Sequence, residues 1–135
     1  MRTLEEEPSD GVAEVMAVAE SLVDAFGRHD VARYFDHFSD DATFVFHTVD
    51  HVLRSRREYE ELWRVWEAED GFRVLRCASA DGTVRMLGSD AAVFTHRVTT
   101  VVSTKGKEET VEERETIVFT RPGPSWLAVH EHLSR

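Results

Sequence analysis

The chain of 135 residues carries 16 Lys and Arg against 26 Asp and Glu, a formal charge of −10, with 41% hydrophobic and 31% charged residues. That length suits one globular domain with a core of its own, and the acidic balance repels phosphate backbones and anionic lipid heads, which argues against nucleic acid and membrane surfaces as partners. A single cysteine, Cys77, excludes an intramolecular disulfide and a thiolate zinc cluster, and no stretch resembles a signal peptide or reaches the roughly 20 apolar residues of a spanning helix, so the expected compartment is the cytoplasm.

Residues 1–8 are acidic and polar and are expected to form a mobile lead, with one domain over 9–135. From Ser9 or Asp10 the apolar residues Val12, Val15, Met16, Ala19, Leu22, Val23 and Phe26 recur on one helix face, and Gly27 supplies a stop. Asp30 can cap a short second helix whose apolar side is Val31, Tyr34, Phe35 and Phe38, ended by Ser39, Asp40 and Asp41. Residues 43–47 read as a first strand. Ser55 and Glu58 form a capping box, each side chain accepting from the other's amide. The third helix that starts there carries the stripe Tyr59, Leu62, Trp63 and Trp66 and ends at Gly71.

The remainder is β-rich, with strands over 72–79, 83–88, 91–104, 109–121 and 125–133. Turns are marked by Asp81-Gly82, Gly88-Ser89-Asp90, Lys105-Gly106-Lys107 and Pro122-Gly123-Pro124. Helices first and an antiparallel meander last predict an α+β fold, in which three N-terminal helices cover one face of a curved antiparallel sheet.

Hairpin turns set which residues face each other across a sheet. A turn centred on Gly106 places Arg97 opposite Glu115, and one centred on Gly123 places Glu115 beside Glu131, so one row reads Arg97, Glu115, Glu131. Thr95, Thr99, Ile117, Phe119, Leu127 and Val129 share that face. The opposite face then carries Val98, Val118 and Trp126 together with Phe94, His96, Arg114, Thr116, His130 and His132, and the last six are the expected interface of a homodimer, because helices cover only one side of a sheet whose two faces are both half apolar. A slip of a single residue in either turn exchanges the faces.

Two carboxylates sharing a partly buried site cannot both ionise cheaply, so the row is the main functional candidate. Arg97 would anchor or polarise a ligand oxygen, Glu115 or His47 would move a proton, and Tyr34, Trp63, Trp66 and Glu131 would complete the ligand site. The competing reading of the row is a structural ion pair. His130, His132 and a nearby His96 have a spacing that could hold a metal, yet further ligands are not evident and Arg114 opposes a cation, so no metal is expected. Glu108, Glu109, Glu112 and Glu113 read as solvated charge, and Cys77 as a small apolar strand residue. No nucleophile elbow, phosphate loop or dinucleotide fingerprint is present, and no cofactor is expected.

Three strings in this order, Phe38-Ser-Asp-Asp-Ala-Thr43, Gly88-Ser-Asp-Ala-Ala92 and Trp126-Leu-Ala-Val-His-Glu-His-Leu-Ser134, resemble the SnoaL-like branch of the nuclear transport factor 2-like superfamily, over nearly the whole chain from Val12. A local likeness to the association domain of calcium/calmodulin-dependent kinase II covers Arg97 to Thr99, Glu115-Thr116 and the segment from Trp126 to Ser134. The resemblance implies a cone-shaped, cystatin-like roll with a pocket between helices and bent sheet, and dimerisation through the outer sheet face. It also implies that Arg97 points into the pocket, while a second pocket arginine of the association domain falls on Ile117. Ketosteroid isomerases share the superfamily, but their general-base aspartate falls on Phe46, which cannot take a proton, so their activity is not implied. The expected function is a small-molecule pocket protein, a cofactor-independent isomerase, cyclase or hydratase working by acid-base chemistry on a small organic ligand. The alternative is a non-catalytic homodimeric binding or assembly module with a filled pocket.

Overall fold

The computed structural model describes the backbone of residues 3–135 and side chains from Gly11 onward. Three helices, α1 (Thr3–Gly27), α2 (Val31–Asp36) and α3 (Arg56–Asp70), combine with five strands, β1 (Phe38–Phe46), β2 (Arg73–Met86), β3 (Ala91–Thr104), β4 (Lys107–Thr120) and β5 (Leu127–Ser134). The backbone of α1 begins before the expected Ser9 or Asp10; the side chains of the expected lead over 1–8 lie outside the described residues. Val15, Ala19, Leu22 and Ala25 recur every three or four residues and are buried, which seats α1 on the sheet. The Asp30 carboxylate accepts from the Arg33 amide and caps α2 as expected, but α2 ends at Asp36, and Phe38 opens β1 instead of closing the helix.

α3 has the expected ends. The Ser55 hydroxyl accepts from the Glu58 amide at 3.1 Å, and Gly71 stops the helix in the left-handed region at φ 59°. The Glu58 carboxylate reaches one residue further than a capping box requires, to the Arg54 amide at 3.2 Å. No helix of the described residues is long and apolar enough to cross a membrane.

The sheet order is β1-β5-β4-β3-β2. It is mixed and not wholly antiparallel: α3 carries the chain from one sheet edge to the other, and the meander returns β5 alongside β1 in the same direction. Asp81-Gly82 is a bulge within one long β2 and not a turn between two strands; the pairing with β3 shifts there and Asp81 takes φ 57°.

The β3–β4 hairpin closes with Thr104 opposite Lys107, and both central residues have positive φ, 54° at Lys105 and 79° at Gly106. This is the two-residue turn whose twist matches antiparallel strands, whereas the expected turn was centred on Gly106 alone. The register therefore slips by one residue: His96, and not Arg97, faces Glu115, and Arg97 faces Arg114. A slip of one reverses the faces of β3 relative to β4. On the other side Glu115 pairs with Leu133 and Ile117 with Glu131, two residues from the expected register, which preserves the face. A bulge then leaves Val129 out of the ladder, so Ala128 and Glu131 are both buried inward.

Candidate functional site

A cavity of about 360 Å³ lies between α3 and the inner sheet face. Its walls are aromatic: Tyr59, Trp63 and Trp66 come from the inward stripe of α3, Phe46 from the alternation of β1, and Phe26 and Phe72 from the ends of the neighbouring elements. His47, Asp70, Glu109, Glu113 and Arg135 supply its ionisable groups, and Thr48, Thr100 and Thr104 its hydroxyls. Behind it a chamber of about 50 Å³ shares Phe26, Tyr59, Thr100, Glu113 and Leu133 with the larger space and reaches Tyr34, Glu115 and Glu131.

Tyr34, Tyr59, Glu115 and Glu131 of the chamber wall belong to a continuous hydrogen-bonded chain that enters the core from Ser79. Ser79 Oγ lies 2.6 Å from His96 Nδ1, and His96 Nε2 lies 2.6 Å from Glu115 Oε1. Glu115 is hydrogen-bonded to Glu131, Tyr34 Oη donates to Glu131 Oε1 at 3.1 Å, and Tyr34 Oη is 3.0 Å from Tyr59 Oη. Burial is the largest influence on the protonation of Tyr34, Tyr59, His96, Glu115 and Glu131. Glu131, only 2% exposed, is pushed well above the usual carboxylate range by burial and then by the charge of Glu115. Burial raises Glu115 as well, against the hydrogen bond from Glu131, and pushes the His96 imidazole down to about 4. Burial also holds both tyrosines well above their ordinary value, so they remain phenols.

These directions assign the donors. The Tyr34 proton is committed to Glu131, so Tyr59 donates to Tyr34. Protonated Glu131 donates to Glu115, and neutral His96 donates Nε2–H to the same carboxylate while accepting at Nδ1 from Ser79. Every proton in the chain points toward one carboxyl group, Glu115. Tyr59, at the cavity end, is left as an acceptor.

Nearer the opening, His47 Nε2 meets Glu113 Oε2 at 2.5 Å, both side chains half-buried. Glu113 was expected to be solvated, yet it lies two residues before Glu115 on the same strand and therefore faces the same side. That alternation was the signal available for it. Cys77 lines the chamber as a thiol, which burial pushes up to about 11 and so keeps from acting as a nucleophile.

Of the expected site residues, Tyr34, His47, Trp63, Trp66, Glu115 and Glu131 line this space, and Arg97 does not. Its side chain is 67% exposed on the outer face, 3.5 Å from an equally exposed Asp81. Of the six expected interface residues, Arg114, Thr116, His130 and His132 stay on the outer face, while Phe94 and His96 are buried inside. Since His96 points away from His130 and His132, the three cannot converge on a metal, and among the described residues no group of His, Cys, Asp and Glu has the geometry to hold one. Ile117 is fully buried, and Phe46 forms part of the cavity wall.

Several solved structures share the fold. A nuclear transport factor 2-like protein of unknown function in nutrient uptake from Rhodospirillum rubrum superposes with a TM-score of 0.75 at 26% identity, over 89% of this chain and 96% of that one. A ketosteroid isomerase-like protein from Erwinia carotovora atroseptica gives 0.76 at 17% identity, over 91% and 94%. The association domain of C. elegans calcium/calmodulin-dependent kinase II gives 0.69 at 19% identity, over 91% and 94%. No curated protein matches the chain in sequence. The sequence model of the SnoaL-like domain matches residues 15–135, nearly all of the described fold, and the chain belongs to that family.

Proposed function

We propose that the chain is a small-molecule pocket protein that moves a proton on its ligand by acid-base chemistry, in the isomerase, cyclase or hydratase class, without a cofactor. The observation that carries this reading is the His47–Glu113 pair set in an aromatic-walled cavity. Glu113 holds the imidazole through Nε2, which leaves Nδ1 to take a proton from the ligand and return it. Trp63, Trp66 and Phe46 give the ligand's apolar part a rigid surface, and the size of the space suits a compact organic molecule. The buried chain from His96 to Tyr59 keeps the floor of the site rigid through paired polar groups.

Deuterium exchange tests the reading. A panel of small carbonyl compounds and amines is incubated with the protein in D₂O, and exchange at acidic C–H positions is followed by proton NMR. Exchange accelerated by the wild type and abolished in His47→Gln, with binding retained, is expected. Binding without exchange in any compound, or exchange that survives His47→Gln, sinks the proton-transfer role.

The protein is further proposed to work as a cytoplasmic homodimer joined through the outer sheet face around Arg114, Thr116, His130 and His132. Support comes from the fold it shares with a kinase association domain and from the absence of any covering element on that face among the described residues. Sedimentation analysis of His132→Glu beside the wild type tests this; a dimer is expected for the wild type and weakened by the added like charge at the twofold contact.

A further inference from the structure

Placing Arg97 on the outer face changes the sign of the cavity. A pocket with that guanidinium inside would suit an acidic ligand; the pocket as folded opposes the carboxylates of Asp70, Glu109 and Glu113 with the single guanidinium of Arg135. Asp70 has a loose partner in Lys105, 3.7 Å away with its ammonium group in solvent, and Glu113 has His47. Behind them stands Glu115, whose neighbours Glu131, a carboxyl raised by burial, and His96, held down to about 4 by burial, offer it no countercharge.

Hydrogen-bonding capacity runs the same way. Tyr59 spends its only proton on Tyr34, so at the junction of the two spaces it offers lone pairs, and Glu113 can only accept. The aromatic part of the wall offers π surfaces: Trp66 and Phe72, with centroids 5.6 Å apart at 66°, and Trp63, at 84° to Phe72, while Thr48, Thr100 and Thr104 add hydroxyls that can accept as well as donate. Ring faces attract cations and have nothing to offer an anion.

We infer that the ligand of this cavity is a protonated amine bearing an apolar group, its N–H accepted by Glu113 or Tyr59 and its charge held against the rings of Trp66 and Phe72. This names the ligand class for the proposed pocket and rests on that reading. An amine supplies both the positive charge by which the lining falls short and a donor for Glu113 and Tyr59; a neutral hydrocarbon supplies neither, and a carboxylate adds to the negative charge.

The test is calorimetric titration of the wild-type protein at neutral pH with three probes of matched shape: benzyldimethylammonium, its uncharged isostere isobutylbenzene, and phenylacetate. The amine is expected to bind at least about tenfold more tightly than isobutylbenzene, in line with a desolvated cation over aromatic faces. Glu113→Gln is expected to narrow that gap by weakening the binding of the amine. Glu109→Gln, at an exposed position, should narrow it less and keeps the comparison readable if the first variant melts early. Equal binding of amine and hydrocarbon, a preference for phenylacetate, or a gap untouched by both substitutions overturns the inference while the pocket stands. No binding by any probe overturns the inference and the pocket reading together.

Discussion

Replacing His96 with glutamine removes a titrating ring from the core and keeps its hydrogen bonds: the amide N–H₂ can donate to Glu115 and the amide oxygen can accept from Ser79. Folding takes this imidazole from an ordinary value of 6.5 to about 4, because burial opposes its charged form. A base depressed by folding contributes no pH dependence above its unfolded value. Below 6.5 the unfolded chain takes up a proton that the native state refuses, and the native state loses ground until it protonates itself near 4. At roughly 1.4 kcal/mol per pH unit, that window amounts to about 3 kcal/mol, little reduced by solvent because the residue is 4% exposed. Glu131 and Glu115 run in the opposite sense, as raised carboxyls whose stabilising share fades as pH climbs above 4.5, but both proteins contain them and they cancel in the difference. Urea unfolding followed by tryptophan fluorescence from about pH 4 to neutrality gives the two profiles. Wild type minus His96→Gln should be flat above 6.5 and fall by about 3 kcal/mol toward pH 4. Parallel profiles refute the reasoning, since the ring then titrates alike in both states.

Glu131→Gln copies the protonated side chain, with an amide to donate to Glu115 and a carbonyl to accept from Tyr34; relative to wild type its stability should rise as pH increases above 4.5, by at most about 1.4 kcal/mol per unit, and a wild type that gains instead contradicts a protonated Glu131. Arg97→Ala should change stability by less than about 0.5 kcal/mol and leave ligand affinity untouched, because an exposed pair with Asp81 is screened by water; chemical unfolding and titration check both. Gly106→Val, which forces a β-branched residue to φ 79°, should cost about 1–2 kcal/mol in a melt and disturb the β3–β4 register, visible as lost NOEs between His96 and Glu115.

The aromatic half of the site was legible from the sequence: Tyr34, Trp63 and Trp66 stand at helical spacing on capped helices, and such stripes turn inward because that is where apolar area leaves water. The acidic half was legible in part. Glu115 and Glu131 were placed together because the error in the β4–β5 register was an even number of residues, while the odd error in β3–β4 sent Arg97 outward and brought His96 in. Asp81-Gly82 has the composition of a turn, and a bulge draws on the same residues for the same positive φ; only the partner strand distinguishes them.

The sequence by itself determined the three helices, the caps of α2 and α3 and the α+β class, because each depends on residues within a turn or two of one another. Tertiary structure alone decided the parallel β1–β5 pair, the bulges, the register and thereby the charge of the pocket. Strand faces alternate with every residue, so parity across a hairpin rests on one backbone conformation at Lys105, which local composition leaves open and which the whole sheet must satisfy when it closes over the helices.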